Sequence, residues 1–384
     1  MTNRQPLIGW YHKTLRAALV AGLALTSCIS NSQTVPAVKP LDGIWETKGG
    51  FGFTGDEKKV RKLRQSVSGI ACSVDPADSA QRVCLLVFDE GTEARHASIR
   101  NRTLHADSEV VDLRPQGGEL DAEAAAIADG YFYVVGSHSA TRSRCESNPN
   151  SRFVVRFEIN PGTGRAMRVA PGSAASQLKG YQATNRLWGI MATLEPLRNH
   201  VGEGKCLGTS PPPKALSLKG QRGVNIEGLA ARAGRLYFGF RGPAQNGIVP
   251  VLSVDANALF SGADAKPAIH RLTVGNGRGI RDMHAVKDGI LVLAGPDDDS
   301  AHDTLDWTVS WWSGTPAPSE TIAVTKTLAR LDLSGVGLRK KCDKEIKPEA
   351  IAVVGETDQA YELVVLSDGM CDGGALSFQI KRQP

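Results

Sequence analysis

No apolar run in this chain reaches the roughly 20 residues that a helix needs to cross a hydrocarbon core of about 30 Å. The stretch Ala17 to Leu25 has nine, which suits a processing segment and not a membrane span. Several catalytic signatures are missing too. There is no Gly-x-Ser-x-Gly elbow, the eight histidines include no His-x-x-x-His pair, and the seven cysteines include no Cys-x-x-Cys pair. These gaps remove sequence support for an elbow-type serine hydrolase, a helical zinc site and a zinc ribbon. Charge of one sign is also lacking. The chain carries a formal net charge of +5, and its first 27 residues hold three basic side chains (Arg4, Lys13, Arg16) and no acidic one, so the remainder carries +2. Such a near-balanced chain shows no footprint of nucleic-acid binding.

What is present at the start has a recognisable order. Basic residues precede the short apolar run, and Leu25-Thr26-Ser27-Cys28 follows it. That order resembles the lipobox of bacterial lipoproteins. The resemblance implies cleavage before Cys28 and lipid modification of it, hence a signal peptide over 1–27 and an exported chain anchored to a bacterial membrane, facing the periplasm or the cell surface. Residues 28–40 are polar and proline-bearing without periodicity, and are expected to be a tether. Residues 41–384 are expected to form one domain. The basic run Lys58 to Arg64 is read as a solvated edge, its alternative being a contact for an anionic surface.

With Cys28 set aside, Cys72, Cys84, Cys145, Cys206, Cys342 and Cys371 remain. An even number in an exported chain suggests disulfides, for which six cysteines allow fifteen pairings. A hairpin turning around residues 75–81 would set Cys72 and Cys84 opposite each other, where cross-strand Cβ atoms lie about 4.5–5.5 Å apart, near the span of a disulfide. Cys145 with Cys206 and Cys342 with Cys371 then complete one scheme.

The main signal is repetition. Asn225-Ile226-Glu227-Gly228-Leu229-Ala230, a turn at Ala233-Gly234 and the aromatic return Leu236-Tyr237-Phe238-Gly239-Phe240 read as a β-hairpin. Related hairpins open at Ser68, Glu123, Asp282 and Glu349, each with an apolar return strand and a further strand candidate after it. Short antiparallel strands recurring at about 50 residues predict an all-β fold, a single β-propeller of five to six blades. A helical and loop insertion around 170–220 accounts for the long interval between the second and third copies, and residues 41–55 are expected to help close the ring near the C-terminus.

The stretch 225–243 resembles the bacterial family catalogued as domain of unknown function 3616, and the similarity extends in order over most of the chain. The resemblance implies a propeller-like β fold and no established reaction. A looser likeness to phytase-like propellers rests on the Glu-Gly-apolar-Ala opener alone.

Equivalent openers of inner strands should gather at one end of a propeller channel. Glu123, Glu227, Asp282 and Glu349 are therefore expected around one mouth, with Arg241 and Arg281 as the cations that relieve their repulsion. These six are the candidate ligand-binding residues for an unknown small molecule or protein partner. The acidic run Asp297 to Asp306 could offer the oxygen ligands that calcium prefers, although its spacing is not that of an EF-hand loop. Binding at the mouth is the expected function, and metal-assisted phosphoester hydrolysis is its alternative.

Overall fold

The structure, a computed structural model, describes residues 35–142, 144–207, 222–300, 305–315 and 321–382. The signal segment, Cys28 and most of the tether lie outside the described residues. From Val35 onward the chain forms one compact unit, built from five sheets whose blade strands are antiparallel, three of them extended by a short parallel edge strand.

Blade 1 comprises Val67–Asp75, Asp78–Phe88, Glu93–Arg100 and Thr103–Asp112. Blade 2 comprises Ala122–Ala128, Tyr131–Gly136, Val154–Glu158 and Gln182–Thr184. Blade 3 holds Asn225–Arg232, Arg235–Gly242, Ile248–Asp255 and Ala268–Thr273. Blade 4 holds Arg278–Val286, Gly289–Pro296, Thr308–Trp312 and Lys326–Leu331. Blade 5 has three strands, Lys347–Glu356, Ala360–Asp368 and Leu376–Lys381. The first strand of each blade touches those of both neighbours, and that of blade 5 meets that of blade 1. The ring is therefore closed with five blades, and neither the insertion nor the N-terminal strands form a sixth.

Local chemistry sets the hairpins. Ala233 and Gly234 (φ 51° and 73°) and Asp129 and Gly130 (φ 51° and 78°) form two-residue turns with both central residues left-handed, the turn whose twist matches that of paired strands. Between blades, alternating apolar side chains interdigitate. Leu229, Phe238 and Leu252 of blade 3 share one buried cluster with Ala124, Tyr133 and Val135 of blade 2.

Closure uses the N-terminal segment as a belt. Ala37–Val38 pairs in parallel with Arg330 and Leu331 on the outer strand of blade 4. The Leu41 and Trp45 N–H groups then donate to the Ser377 and Ala375 carbonyls of blade 5 at 2.8 and 2.9 Å, and Glu46–Lys48 pairs with the outer strand of blade 1. Blade 5, one ladder strand short, is thus covered by chain from the other end. The belt takes in the last residues of the expected tether, because the sheet edge of blade 4 supplies hydrogen bonds that an isolated polar segment lacks.

The 104-residue interval between Glu123 and Glu227 holds the outer strand of blade 2 and an insertion with a helix, Arg186–Met191, and a short turn of helix, Arg198–His200. Leu187, Met191 and Leu197 are fully buried against blades 2 and 3, and Ile190 and Leu194 are half-buried beside them. A helix that the sequence reading missed is Glu57–Arg64, whose start is capped by Asp56 accepting the Lys59 N–H at 2.8 Å. All three disulfides of the proposed scheme are present. Cys72 and Cys84 are direct cross-strand partners.

Candidate functional site at the channel mouth

Each inner strand carries one bulged residue near its start. In blade 1 the register passes from Val67 opposite Phe88 to Gly69 opposite Val87, which leaves Ser68 unpaired. The same skip leaves out Glu123, Glu227, Arg281 and Glu349 in blades 2 to 5. A bulge frees its residue from the ladder and re-aims the side chain, so one side chain per blade is presented at the channel. The residue after the bulge is small in four blades, Gly69, Ala124, Gly228 and Ala350. The reason is steric: a Cβ on Gly69 would lie 2.7 Å from the Ala124 Cα, and one on Gly228 would lie 2.9 Å from Ile280 of blade 4.

Blade 4 departs from the expected pattern. Arg281, not Asp282, stands where the glutamates stand, and Asp282 fills the small-residue position one step deeper. Asp282 is buried and accepts N–H bonds at 2.7 Å from Met283 and from Ile351 of blade 5. Burial pushes its carboxyl well above the usual range, against the lowering effect of the backbone N–H groups of Ile351, Met283 and Leu229. It joins inner strands and does not face the mouth. Asp297, which follows the return strand of the same hairpin, donates its N–H to the Gly277 carbonyl at 2.9 Å.

Arg281 is fully buried and links three blades. Its Nε lies 2.9 Å from Glu227 Oε2, and its Nη2 donates to Glu349 Oε1. Arg241 Nη1 donates to Glu227 Oε1 at 3.0 Å, as the hairpin geometry predicts, and its Nε lies 3.3 Å from Asp298 Oδ1. Burial alone would push the Glu227 carboxyl up. The Arg281 and Arg241 guanidiniums reverse this and hold it below the usual carboxylate range. Burial and the neighbouring Arg241 cation pull Arg281 down to about 10, which leaves it charged at neutral pH.

Above this network lies a polar cavity of about 490 Å³, lined by Glu123, Glu227, Arg241 and Glu349 and by residues that the repeat pattern did not single out. Eight carboxylates line it against three basic side chains, Arg142, Arg241 and Lys347. The two halves differ. On the blade 3 to 5 side every carboxylate has a cation: Glu227 and Glu349 as above, and Asp368 with Lys347. On the blade 1 and 2 side, Glu90 pairs with Lys62, but Asp89, Asp121 and Glu123 have no ion-pair partner among the described residues. Burial, then Glu227, Asp121 and Asp89, push Glu123 well above the usual range. Burial, then Asp368 and Asp121, do the same to Asp89. Asp121 is raised to about 6 by burial, although the Ser137 hydroxyl donates to it. Asn225, 3% exposed, also lines the cavity. Its amide donates to Glu227 Oε1 (3.0 Å) and Asp298 Oδ1 (3.3 Å), while its Oδ1 has no hydrogen-bond partner. The rim is stiffened by the Cys145–Cys206 disulfide, which joins the loop that follows Gly136 to the end of the insertion, where Leu207 lines the cavity.

Asp121 gives a signed test. Its carboxyl titrates near 6 in the fold against about 3.9 unfolded, so the folded state binds more protons between these values and the wild type gains stability as pH falls through 6. Asp121→Asn lacks that gain. Urea titrations should show the variant's stability relative to wild type falling by about 2 kcal/mol between pH 7 and pH 4. A difference independent of pH would contradict the assignment.

The acidic run is dispersed in the structure. Asp297 Oδ1 accepts the Asp299 and Ser300 N–H groups at 3.0 and 2.9 Å, Asp298 faces Arg241 and Arg142, Asp299 faces Arg222, and Asp306 faces Arg330. Residues 301–304 of this run lie outside the described residues. Among the described residues no three His, Cys, Asp or Glu side chains are placed to hold a metal ion.

The family model described as protein of unknown function (DUF3616) matches residues 90–373. The chain belongs to that family. None of the curated proteins matches this DUF3616 chain. Among solved structures it is similar to an α-L-arabinanase of Cellvibrio cellulosa complexed with arabinohexaose, at 13% identity over 82% of this chain and 91% of that one, TM-score 0.39. It is also similar to the native arabinanase of Bacillus subtilis, at 8% identity over 82% and 93%, TM-score 0.34. A GH43 endo-arabinanase of Bacillus licheniformis matches at 10% identity over 88% and 96%, TM-score 0.35.

Proposed function

We propose that this DUF3616 protein is an exported, lipid-anchored binding protein whose propeller mouth holds a small organic cation, an ammonium or guanidinium compound. The observation that carries the reading is the uncompensated half of the cavity: Asp89, Asp121 and Glu123 face it without a counter-ion, beside the unpartnered oxygen of buried Asn225. A bound cation would offset the burial and the mutual repulsion that raise these carboxyls, and no existing ion pair would have to break. The volume is that of small-molecule pockets, roughly 300–1,000 Å³. Export and anchoring rest on Leu25-Thr26-Ser27-Cys28 and on the disulfides, which suit an oxidising compartment.

The phosphoester reading lacks its parts. Arg241 and Arg281, the cations that would have to neutralise a phosphate there, are committed to Glu227, Asp298 and Glu349, and no described trio of side chains is arranged for a metal.

Thermal melting of the span 35–384 with spermidine, arginine amide, a neutral pentose and inorganic phosphate tests the proposal. The two cations should raise the melting temperature, since a ligand at about a hundred times its Kd adds about 2.7 kcal/mol. The pentose and phosphate should not. Asp89→Asn with Glu123→Gln should abolish the cation effect. Stabilisation by the pentose or phosphate alone would overturn the reading.

A further inference from the structure

The basic run Lys58 to Arg64 plays no part in the cavity, and the fold gives it company. Helix Glu57–Arg64 lies beside the connector between blades 4 and 5, some 280 residues away in sequence. Gln65 Nε2 donates to the Cys342 carbonyl, Arg64 pairs with Asp372, and the Gly369 N–H donates to the Gln65 carbonyl at 2.8 Å. The connector is itself fixed. Cys342 is bridged to Cys371, and Arg339 forks onto Asp343 at 2.7 and 2.8 Å and donates to the Cys371 carbonyl at 2.5 Å. The result is a rigid rim carrying Lys58, Lys59, Arg61, Lys340 and Lys341, all exposed and none within ion-pair distance of a described carboxylate. Leu338, 43% exposed, sits in the same connector.

We infer that this rim is a docking surface for an anionic lipid bilayer. Five exposed cations without an ion-pair partner among the described residues, against the exposed carboxylates of Asp56 and Glu57 at the start of the same helix, leave a net positive rim in a chain that carries only +2 beyond its first 27 residues. The exposed leucine among them supplies an apolar contact that a soluble polyanion would not use. The expected lipid at Cys28 makes the bilayer the favoured occupant. Cys28 is seven residues from Val35, a reach of at most about 25 Å, so a face of the body would be held close to the membrane. A polybasic patch adds electrostatic attraction for anionic lipids to that of a lipid anchor. The ligand site and the membrane contact are separate: the rim uses no residue of the uncompensated carboxylate half.

Co-sedimentation of the span 35–384 tests this, because that span holds the closed ring and lacks both Cys28 and the apolar leader. It should sediment with phosphatidylethanolamine vesicles containing phosphatidylglycerol and stay in solution with phosphatidylcholine vesicles. Each basic side chain near an anionic surface contributes roughly fivefold, so Lys58→Ser, Arg61→Ser, Lys340→Ser and Lys341→Ser together should lower partitioning by about 600-fold. Should that variant melt early, Lys340→Ser with Lys341→Ser alone should still weaken it by about tenfold or more. Equal sedimentation with both vesicle types, or unchanged partitioning of the variants, overturns the inference. So does preference for soluble polyphosphate over the anionic vesicles, which would make the rim a polymer site. Asp89→Asn should leave vesicle binding unchanged, so loss of spermidine binding and loss of membrane binding are read independently.

Discussion

Arg281→Met is expected to destabilise the propeller by about 3–5 kcal/mol, because it leaves two buried carboxylates, Glu227 and Glu349, without the cation between them. Packing alone would predict a small effect, since methionine is apolar and of similar length. The loss should come from charge, and two variants separate the causes. Arg281→Lys keeps the charge but cannot reach both carboxylates with one planar fork, so it should recover only part of the loss. Arg281→Met combined with Glu227→Gln and Glu349→Gln should be more stable than Arg281→Met alone, because removing all the charges removes the unpaired burial penalty. Urea unfolding near pH 7 reads all three. A triple variant less stable than the single one would show that the arginine acts through packing.

Cys145→Ser with Cys206→Ser should cost about 4 kcal/mol in the chain-entropy account of disulfides, because the bridge spans a sequence separation of 61 residues. The other two bridges close shorter loops, at separations of 12 and 29, and their double serine variants should cost less, about 3 and 3.5 kcal/mol. The order is the sharper part. It places the largest stability effect on the one bridge that borders the cavity, so the same variant should weaken spermidine binding while the Cys72 and Cys84 variant leaves it unchanged. Chemical unfolding of the three double variants, followed by spermidine titration of each, checks both statements. Equal costs for all three would contradict the loop-length argument.

Much of the architecture was legible in the sequence because a propeller repeats its own local rules. Apolar alternation, left-handed turn residues at Ala233-Gly234 and Asp129-Gly130, and a small residue after the opener in four of the five blades all recur, and each reflects a contact that the blades share. The cross-strand placement of Cys72 and Cys84 and the pairing of Glu227 with Arg241 follow from hairpin arithmetic alone. What stayed hidden depends on register across blades. The bulge in blade 4 falls on Arg281 and turns Asp282 inward, a one-residue choice that periodicity does not record. Asp89 and Asp121 join Glu123 because the ends of blade 1's second strand and blade 2's entry loop meet in space. The first signal for them was present but unused: an acidic residue follows the return strands at Asp89, Asp297 and Asp368. The belt from Ala37 to Lys48 runs over three blades through backbone bonds, which leave almost no mark on side-chain pattern.

The cation-binding mouth is tested most directly by calorimetric titration of spermidine into the span 35–384 near pH 6, in two buffers of different ionisation enthalpy. Carboxyls raised by burial and by one another must lose protons to meet a cation. Saturable binding with net proton release is therefore expected, tighter near pH 8 than near pH 5, and at least about tenfold weaker in Glu123→Gln. Binding that releases no protons and is indifferent to Glu123→Gln, or no binding of any cation at the higher pH, would contradict it.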